Sequence, residues 1–490
     1  MSNTKMQKYR PQFHYSPQKN WMNDPNGLVY LDGEYHLFYQ YHPTGTTWGP
    51  MHWGHAVSKD LIHWEELPIA LYPDEYGTIF SGSAVVDWKN TTGFFEEGKF
   101  GLVAIYTSHK MDPETEIQQQ TQSIAYSKDK GRTWIKYKGN PVLKDERFID
   151  FRDPKVFWHE ESSKWIMVLA TGQSISIYSS INLIDWQFES EFGKLEGSHL
   201  AVWECPDLFK LAVDGDKSKE KWVMFVSIGD NISYKEGSRT QYFIGSFDGS
   251  TFVNDHSNET VLWLDYGRDN YAGVSWSDMP DGRRIYIGWM NNWRYANQLP
   301  TREWRGAMTL PREVKLITTD EGVRLGQKPV SELNCIQKDR HELEGSVLLS
   351  SKSASFLINK SLVKLDINMI NKNAKKFGIE LCFNEEEKVF IYYYTESQQL
   401  LVDRTFSGET EFSTSFAAIQ EAVLPLKNGQ LNMQIFIDCS SIEIFTKDGS
   451  IAFTSLIFPK TSIEKIVFFA SEGEMEVSAF AWTELNSIWK

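Results

Sequence analysis

The sequence predicts an all-β protein in which a five-bladed β-propeller is followed by a β-sandwich. Helical periodicity is scarce, whereas short runs rich in β-branched and aromatic residues, such as "EYHLFYQY" and "KWIMVLAT", recur along the chain. A second observation is a repeated pattern, Ser-x-Asp or Ser-x-Asn followed by an aromatic residue, which begins at Ser58, Ser127, Ser180 and Ser246. Units of roughly 50 to 70 residues with this content are typical of propeller blades, which bury their faces against one another.

Three of the predicted blades have recognisable beginnings, in which a polar residue and an Asp-Pro or Cys-Pro pair precede a strand, and two similar strand-turn-strand units bring the number of predicted blades to five. The five blades begin at Asn23, Ser81, Arg152, Glu204 and Tyr271. Proline is tolerated at the first positions of a strand, because its missing N–H leaves no ladder bond unmade. The first strand of each blade lines the central channel, so equivalent starts meet at one end of it. We therefore predict that Asp24, Asp153 and Glu204 are neighbours in space.

The pattern of apolar and polar residues changes after about residue 335. Stretches such as "SFLINKSLVKLDIN" and "LNMQIFIDCSSIEIF" alternate apolar and polar residues, which is typical of antiparallel strands with one solvated face. A length of 490 residues also favours two domains over one. We predict a propeller over residues 1–335 and a sandwich over residues 336–490, with the segment 323–338 as the linker.

Charge and composition limit the partners. The net charge of -15, from 50 basic and 65 acidic residues, argues against nucleic acid and against an anionic membrane surface. Aromatic residues are abundant, with 18 Trp, 21 Tyr and 30 Phe, and Trp faces stack well on sugar rings. Carbohydrate is therefore one candidate ligand, and the oligomeric state is left open.

Cysteine usage and the N-terminal residues suggest a compartment. The four cysteines are far apart and form neither a C-x-x-C pair nor a dense disulfide framework, which fits a reducing environment. Residues 1–21 lack the apolar region of a secretory signal, and no run of about 18 apolar residues occurs. We expect a cytoplasmic protein, while a secreted mature form with its signal already removed stays open as the alternative.

Three carboxylates that converge on one cleft suggest acid–base chemistry. Glycoside hydrolysis needs one carboxylate at the anomeric carbon and another to protonate the leaving oxygen. A single Asp-Pro motif is more often a turn or cap than a catalytic residue. Three such motifs at equivalent blade positions shift the balance, and Arg152 can hold Asp153 ionised or bind hydroxyl groups.

Other constellations are weaker. His52, His55 and His63 lack a carboxylate at a diagnostic metal-binding spacing, so packed strand histidines are favoured over a metal site. "FSGSA" is not a nucleophile elbow, and Ser81 is better explained as a hydrogen-bond donor. No nucleotide-binding glycine loop occurs, and neither a metal nor a cofactor is predicted.

The segment "NWMNDPNGLVY", from Asn20 to Tyr30, surrounds Asp24 with polar residues and a Pro-Asn-Gly sequence. We interpret Asn26-Gly27 as a turn that, together with Asn23, holds the Asp24 carboxylate in one rotamer. A nucleophile that is misplaced by an ångström loses much of its rate, so such support is expected around a catalytic carboxylate.

Five blocks of sequence closely resemble those of glycoside hydrolase family 32, the family of invertases, inulinases and levanases. The blocks "WMNDPNG", "WGPMHWGHAVSKDLIHWEELPIAL", "FSGSAV", "FRDPKVFW" and "WECPDLF" occur in order. The resemblance implies a five-bladed propeller with a sandwich, and hydrolysis of terminal β-fructofuranosides with retention of configuration. It also implies that the substrate is a fructan or fructo-oligosaccharide.

The resemblance assigns roles residue by residue. It implies that Asp24 is the nucleophile, that Glu204 is the general acid and base, and that Asp153 stabilises the transition state. The positions that match the fructose pocket of the family are Asn23, Gln40, Trp48, Phe80, Ser81, Arg152 and Trp289. Taken alone, each Trp could equally belong to the core.

The segments "LDYGRDNYAGVSWSD" and "NNWRYANQLPTREWRGAMTLPRE" resemble exo-acting levanases and exo-inulinases more than invertases. We therefore predict release of terminal fructose from levan, inulin, fructo-oligosaccharides and sucrose. Invertase or sucrose-6-phosphate hydrolase activity is the alternative among enzymes. A noncatalytic fructan-binding protein is the alternative outside enzymes, although such a protein has no need of all three carboxylates.

Overall fold

The computed structural model describes residues 7–489, except residues 113 and 116. The described chain is almost entirely β-structure, and its short 3-10 helices lie at Ala296–Gln298, Ser331–Ile336 and Lys427–Gly429. Among the described residues, no helix has the length and apolar character needed to cross a membrane. The predicted all-β class and the order of propeller and sandwich are confirmed.

The first three blades are separate antiparallel sheets. Blade 1 contains β1 (Asn20–Leu31), β2 (Glu34–His42), β3 (His52–Ser58) and β4 (Trp64–Leu71). Blade 2 contains β5 (Thr78–Val86), β6 (Leu102–Met111), β7 (Gln118–Ser127) and β8 (Ile135–Lys136). Blade 3 contains β9 (Arg152–His159), β10 (Lys164–Ala170), β11 (Ile175–Ser180) and β12 (Gln187–Phe192).

The last two blades are joined into one nine-stranded sheet by a single parallel pair, Val213 with Leu316. Blade 4 contains β13 (Trp203–Val213), β14 (Asp216–Ile228), β15 (Arg239–Phe247) and β16 (Phe252–Asn254), and β17 (Leu262–Trp263) pairs with β15. Blade 5 contains β18 (Tyr271–Ser275) and β19 (Ile285–Trp289), and β20 (Trp304–Arg305) pairs in parallel with β1. Blade 5 is completed by β21 (Arg312–Thr319) and β22 (Gly322–Pro329). The pairing of β20 with β1 ties the end of the propeller to its beginning.

The segment predicted to be a linker belongs largely to blade 5. Residues 323–329 lie in β22, which pairs along its length with β21. The alternation of apolar residues in this short segment is weak, because Val323 and Leu325 are its only aliphatic residues before Val330. The prediction of a linker there was therefore wrong, and residues 330–336 make the connection to the next sheet.

The C-terminal region is a sandwich of two antiparallel sheets. The seven-stranded sheet contains β23 (Gln337–Glu342), β24 (Val347–Ser350), β26 (Val363–Asn371), β31 (Gln430–Asp438), β32 (Ser441–Thr446), β33 (Ala452–Leu456) and β35 (Glu474–Leu485). The six-stranded sheet contains β25 (Ser353–Lys360), β27 (Lys376–Cys382), β28 (Lys388–Tyr394), β29 (Gln399–Asp403), β30 (Ile419–Val423) and β34 (Ile463–Ser471). Their facing aliphatic and aromatic residues form one continuous core.

A two-residue β-bulge interrupts the first strand of every blade close to its beginning. The bulged pairs are Asn23–Asp24, Phe80–Ser81, Asp153–Pro154, Cys205–Pro206 and Ala272–Gly273. A bulge bends its strand and redirects its side chains, and bulges are common beside active sites. The repeated bulge therefore turns the start of each inner strand towards the same mouth of the channel.

The segment around Asp24 is a bulged strand, so the predicted Asn26-Gly27 turn was wrong. Residues 20–31 form one strand, and a second register shift follows Asn26. Gly27 has φ of 55°, and a Cβ there would lie 2.5 Å from the Phe38 ring. The glycine therefore allows the bulge and the close packing of β2 against β1. An Asn-Gly pair at a bulge looks like a turn in the sequence alone.

Candidate active site

The mouth of the channel at the bulged ends holds a cavity of about 320 Å³. Its described lining includes the three predicted catalytic carboxylates, Asp24, Asp153 and Glu204. The predicted neighbourhood of these residues, which are up to 180 positions apart in sequence, is thus present in the structure. The volume is at the lower end of the ~300–1,000 Å³ range of small-molecule sites, so the cavity suits one sugar unit.

Most of the predicted pocket residues also line this cavity. They are Asn23, Gln40, Trp48, Phe80, Ser81 and Arg152. Trp289 does not line it, because it is fully buried against Trp21, Tyr271 and Trp293. Trp293 stands in the lining instead, with its ring 4.8 Å from that of Trp289.

Asp24 is buried and is held by two donors. Ser81 Oγ donates a hydrogen bond to Asp24 Oδ2 at 3.0 Å, and Cys205 Sγ lies 3.6 Å from the same oxygen. Asp24 Oδ1 is buried and has no hydrogen-bond partner. The side chain is thus fixed through one oxygen while the other remains free to react. Asn26 does not share in this support, since it bonds Gln40 and the Pro25 carbonyl.

Burial raises the pKa of Asp24 to about 6, and the negative charge of Glu204 adds to the effect. The polar side chains of Asn23, Ser81 and Cys205 act in the opposite direction and do not overcome it. A carboxylate with such a pKa is ionised at neutral pH but is poorly stabilised there. It is therefore a better nucleophile than an exposed aspartate.

Asp153 occupies a strained backbone position. Its φ of 64° lies in the left-handed region that non-glycine residues seldom adopt, and Cys205 and Ala272 share this feature at their own bulges. The Cys205 N–H donates to Asp153 Oδ2 at 2.9 Å, and the Asp153 N–H donates to Thr107 Oγ1 at 3.0 Å. The strain is stored where the inner strands of neighbouring blades meet.

Burial raises the pKa of Asp153 to about 7, although the Arg152 charge opposes the rise. Glu204 and Asp24 add to it by repulsion. The Cys205 thiol lies within 3.5 Å of Asp153 Oδ2 and 3.6 Å of Asp24 Oδ2, and burial raises its pKa well above its ordinary value. The thiol therefore stays protonated and can share its proton between the two carboxylates.

Glu204 is held from both sides and is the most accessible carboxylate of the three. Arg152 donates to Glu204 Oε1 from Nη2 at 3.0 Å and from Nε at 3.2 Å. The Tyr271 hydroxyl donates to Glu204 Oε2. Burial raises the pKa of Tyr271 well above its ordinary value, so the hydroxyl remains a neutral donor. Each Glu204 oxygen is thus assigned to a different partner.

Sequence reasoning missed several residues of the lining. They are His109, Met111, Gln118, Gln120, Asp150 and Trp293. Gln120 accepts from the Phe151 N–H at 2.8 Å, and Asp150 bonds Arg152, so both position the blade 3 strand. The blade 2 residues lie on β6 and β7, away from the repeated blade starts, and no pattern marks them. Tyr271 could have been found, because it occupies the start of the fifth blade.

The histidines that were predicted to pack within strands have different environments in the structure. His55 is buried and stacks on Phe38 and His36, whereas His63 is exposed before β4. The prediction of packed strand histidines is therefore wrong for His63. Asp60, His63 and Cys335 have potential ligand atoms within 4.8 Å of one another, but the Asp60 carboxylate already accepts from Ile62, His63 and Ser58. This group lies outside the cavity lining.

Comparison with known proteins gives one consistent result. The model described as glycosyl hydrolases family 32 N-terminal domain matches residues 14–329, and that of the family 32 C terminal matches residues 330–484. A levanase of Bacillus subtilis (strain 168) is 50% identical over 489 residues, covering 98% of this chain and 71% of the relative.

Two solved structures are similar over nearly their whole length. The exo-inulinase from Aspergillus awamori has a TM-score of 0.91 and 38% identity, with 99% of each chain covered. The β-fructofuranosidase from Schwanniomyces occidentalis complexed with fructosyl-erythritol has a TM-score of 0.88 and 34% identity, with 98% of each chain covered.

Proposed function

Because the chain belongs to glycosyl hydrolase family 32, we propose that it hydrolyses terminal β-D-fructofuranosyl residues from fructans and sucrose with retention of configuration. The relatives named levanase and exo-inulinase support a fructan as the substrate. The observation that carries the proposal is the meeting of Asp24, Asp153 and Glu204 in one small cavity. Two carboxylates on opposite sides of a glycosidic bond are what the retaining mechanism requires.

In this mechanism Asp24 attacks the anomeric carbon of the terminal fructose. The bond to the leaving oxygen breaks as Glu204 gives that oxygen a proton, and a covalent fructosyl-Asp24 intermediate forms. Glu204 then takes a proton from water, which attacks the same carbon and releases Asp24. The free oxygen Oδ1 of Asp24 is the one available for attack, since Ser81 and Cys205 contact Oδ2.

Arg152 and Tyr271 divide the two oxygens of Glu204 between them. Arg152 occupies Oε1 through two N–H groups, which leaves Oε2 to carry the transferred proton beside the neutral Tyr271 hydroxyl. Asp153, next to Asp24 through the Cys205 thiol, stabilises the positive charge that develops on the sugar ring and accepts from its hydroxyls.

The shape and charge of the cavity favour action on a neutral terminal unit. Trp48 is 46% exposed at the rim, where it can contact the sugar next to the terminal fructose, on the other side of the cleaved bond. Arg152 is the only lysine or arginine among the described lining residues, and it is already bonded to Glu204 and Asp150. A sucrose-6-phosphate hydrolase needs a basic group for its phosphate, so the lining favours a fructan or sucrose.

The test is to incubate the protein with levan, inulin, sucrose and sucrose 6-phosphate and to identify the earliest products. Free fructose is expected as the sole early product from levan and inulin, because the small cavity accepts one terminal unit. Early release of fructose disaccharides and trisaccharides would instead demonstrate internal cleavage. Binding of levan without any product would favour a noncatalytic fructan-binding protein.

A further inference from the structure

A second, larger cavity lies at the opposite mouth of the propeller channel. Its volume is about 460 Å³, and it is lined by residues from the far ends of the inner strands of blades 2 to 4, such as Val86, Phe157 and Phe209. On β13 the two linings are separated by the step from Glu204 to Leu208, which corresponds to roughly 13 Å of extended strand, whereas on β9 the step from Asp153 to Lys155 is shorter. The two cavities share no residue among their described linings.

The most exposed tryptophans lie at the same two cavities. All 18 tryptophans lie in the described part of the chain, and the two that are strongly exposed are Trp48, at 46%, and Trp88, at 52%. Trp48 lines the active-site cavity and Trp88 lines the second one. A large exposed aromatic ring beside a cavity is typical of a surface that is covered by a ligand.

Trp88 is also held in a fixed orientation. Its Nε1–H donates to Asp278 Oδ1 at 2.8 Å, and its ring packs 4.5 Å from the exposed ring of Phe100. The floor beside it is aromatic as well, with Lys89 Nζ 4.4 Å above the Trp158 ring and Lys210 Nζ 5.3 Å above the Trp222 ring. The cavity thus offers rigid ring faces next to polar side chains.

Two of the four basic side chains that line the cavity are already paired with carboxylates, and Lys89 lies over the Trp158 ring. Lys210 pairs with Glu161, and Lys155 lies 3.4 Å from Asp207 and donates to the Ser275 carbonyl. Asp278 accepts from Trp88 and from the Val86 N–H. An anion would gain little from the two paired lysines, whereas the hydroxyl groups of a neutral ligand can still bond to the polar groups of the lining.

We propose that this cavity, with Trp88 at its rim, is a second saccharide-binding site that holds another stretch of a neutral fructan chain. Its choice of fructan over other neutral saccharides rests on the proposed function. The apolar face of a sugar ring stacks on Trp88, and the ring hydroxyls bond Asp278 and Lys89. Such a site keeps a polymer on the enzyme between successive cleavages, because the second contact is made at high effective concentration.

The binding test uses Asp24→Asn, which cannot turn over the ligand, titrated calorimetrically with the fructo-oligosaccharide nystose. Two binding sites per chain are expected. Asp24→Asn/Trp88→Ala is expected to retain one, and the matched control Asp24→Asn/Phe406→Ala, which removes a ring 58% exposed on the sandwich, is expected to retain both. Phe100→Ala is the second variant in case Trp88→Ala loses its thermal unfolding transition, and it is expected to weaken the same site.

The kinetic test uses the active enzyme. Trp88→Ala is expected to lower kcat/KM on high-molecular-mass levan by about three- to tenfold and to leave kcat/KM on sucrose within about twofold. The proposal is overturned by a single nystose site in Asp24→Asn, or by two nystose sites that both survive Trp88→Ala and Phe100→Ala, with unchanged levan kinetics in either case. If inorganic phosphate displaces nystose from the second site, the assignment of that site to a neutral saccharide is overturned. Failure of the proposed function has a different signature, since wild-type protein would then hydrolyse neither levan nor sucrose.

Discussion

The molecule contains two groups of buried carboxylates whose pKa values are shifted in opposite directions. At the mouth of the channel, Asp24 and Asp153 lie close to Glu204, and burial raises the pKa of both aspartates, to about 6 and about 7. At the boundary between propeller and sandwich, the carboxylate of Glu443 is also fully buried. Burial alone would raise the pKa of Glu443, but Arg312 and His14 hold it below its ordinary value.

The partners explain the difference. Glu443 receives bonds from Arg312, from His14 Nε2 at 2.8 Å and from the Leu310 N–H at 2.8 Å. Arg404 similarly pairs with the buried Asp269. Among the described lining residues the site has one arginine, Arg152, which binds Glu204, and the described donors to Asp24 are a hydroxyl and a thiol.

The contrast separates two uses of buried charge. Neutralised carboxylates at the boundary fasten two domains, because breaking such a pair leaves an uncompensated charge in a low-dielectric interior. Carboxylates kept short of partners at the site remain reactive, at a cost to stability. Substitutions should therefore affect activity at one place and stability at the other.

The largest expected effect is on catalysis at Asp24. Asp24→Asn keeps the shape of the side chain but removes the attacking charge, so kcat on sucrose should fall at least about a thousandfold, which is about 4 kcal/mol or more. The measurement is steady-state release of fructose. A variant that retains a tenth of the wild-type rate would show that Asp24 is structural.

Glu204→Ala should lose several orders of magnitude on sucrose and levan but far less in the first step on an activated fructoside, whose leaving group needs no proton. Because Glu204 also activates water, a burst of leaving group should precede a slow steady state. Stopped-flow measurement on both substrates checks this. Equal losses on the two substrates would remove Glu204 from the acid–base role.

Arg312→Met tests the boundary. It removes the partner of Glu443 and Asp265, so the free energy of unfolding should fall by about 3–5 kcal/mol while kcat of the folded protein stays within about twofold. Arg147→Met, at an exposed pair with Asp145, is the control and should leave the free energy of unfolding nearly unchanged. A tenfold fall in kcat with unchanged unfolding would contradict the division between site and boundary.

Asp24→Asn should also stabilise the protein at alkaline pH. The folded pKa of about 6 exceeds the ordinary 3.8, so ionisation of Asp24 destabilises the fold as pH rises from 3.8 through 6. This shift corresponds to roughly 3 kcal/mol. Denaturant unfolding should find the variant more stable than the wild type at pH 8 and equal to it below about pH 3.8. A difference that is independent of pH would refute the electrostatic cause.

The smallest effect is expected at Tyr271. Tyr271→Phe removes the donor to Glu204 Oε2, so kcat should fall about tenfold with little change in KM, which corresponds to one hydrogen bond to a charged group. Tyr106→Phe is the matched control, since the buried Tyr106 hydroxyl has no hydrogen-bond partner. Equal losses in the two variants would mean that general packing, and not Glu204, responds.

The sequence by itself determined the class of the fold, the number of blades and the convergence of the three carboxylates. These features repeat along the chain, and a period-two pattern with Asp-Pro or Cys-Pro starts is visible without any contact information. The nearness of Asp24 to Glu204 followed from blade symmetry, because equivalent inner strands must meet at one mouth.

Only the tertiary structure decided which neighbours surround those carboxylates. Gln120 and His109 reach the cavity from β6 and β7, and Trp293 takes the place in the lining that was expected for Trp289. The bulged segment around Asp24 contains the same residue types as a turn, so the local sequence could not distinguish a bulge from a turn. Burial and charge at a carboxylate depend on partners that are distant in sequence. His14 and Glu443 at the boundary, for example, become neighbours only when the two domains pack together.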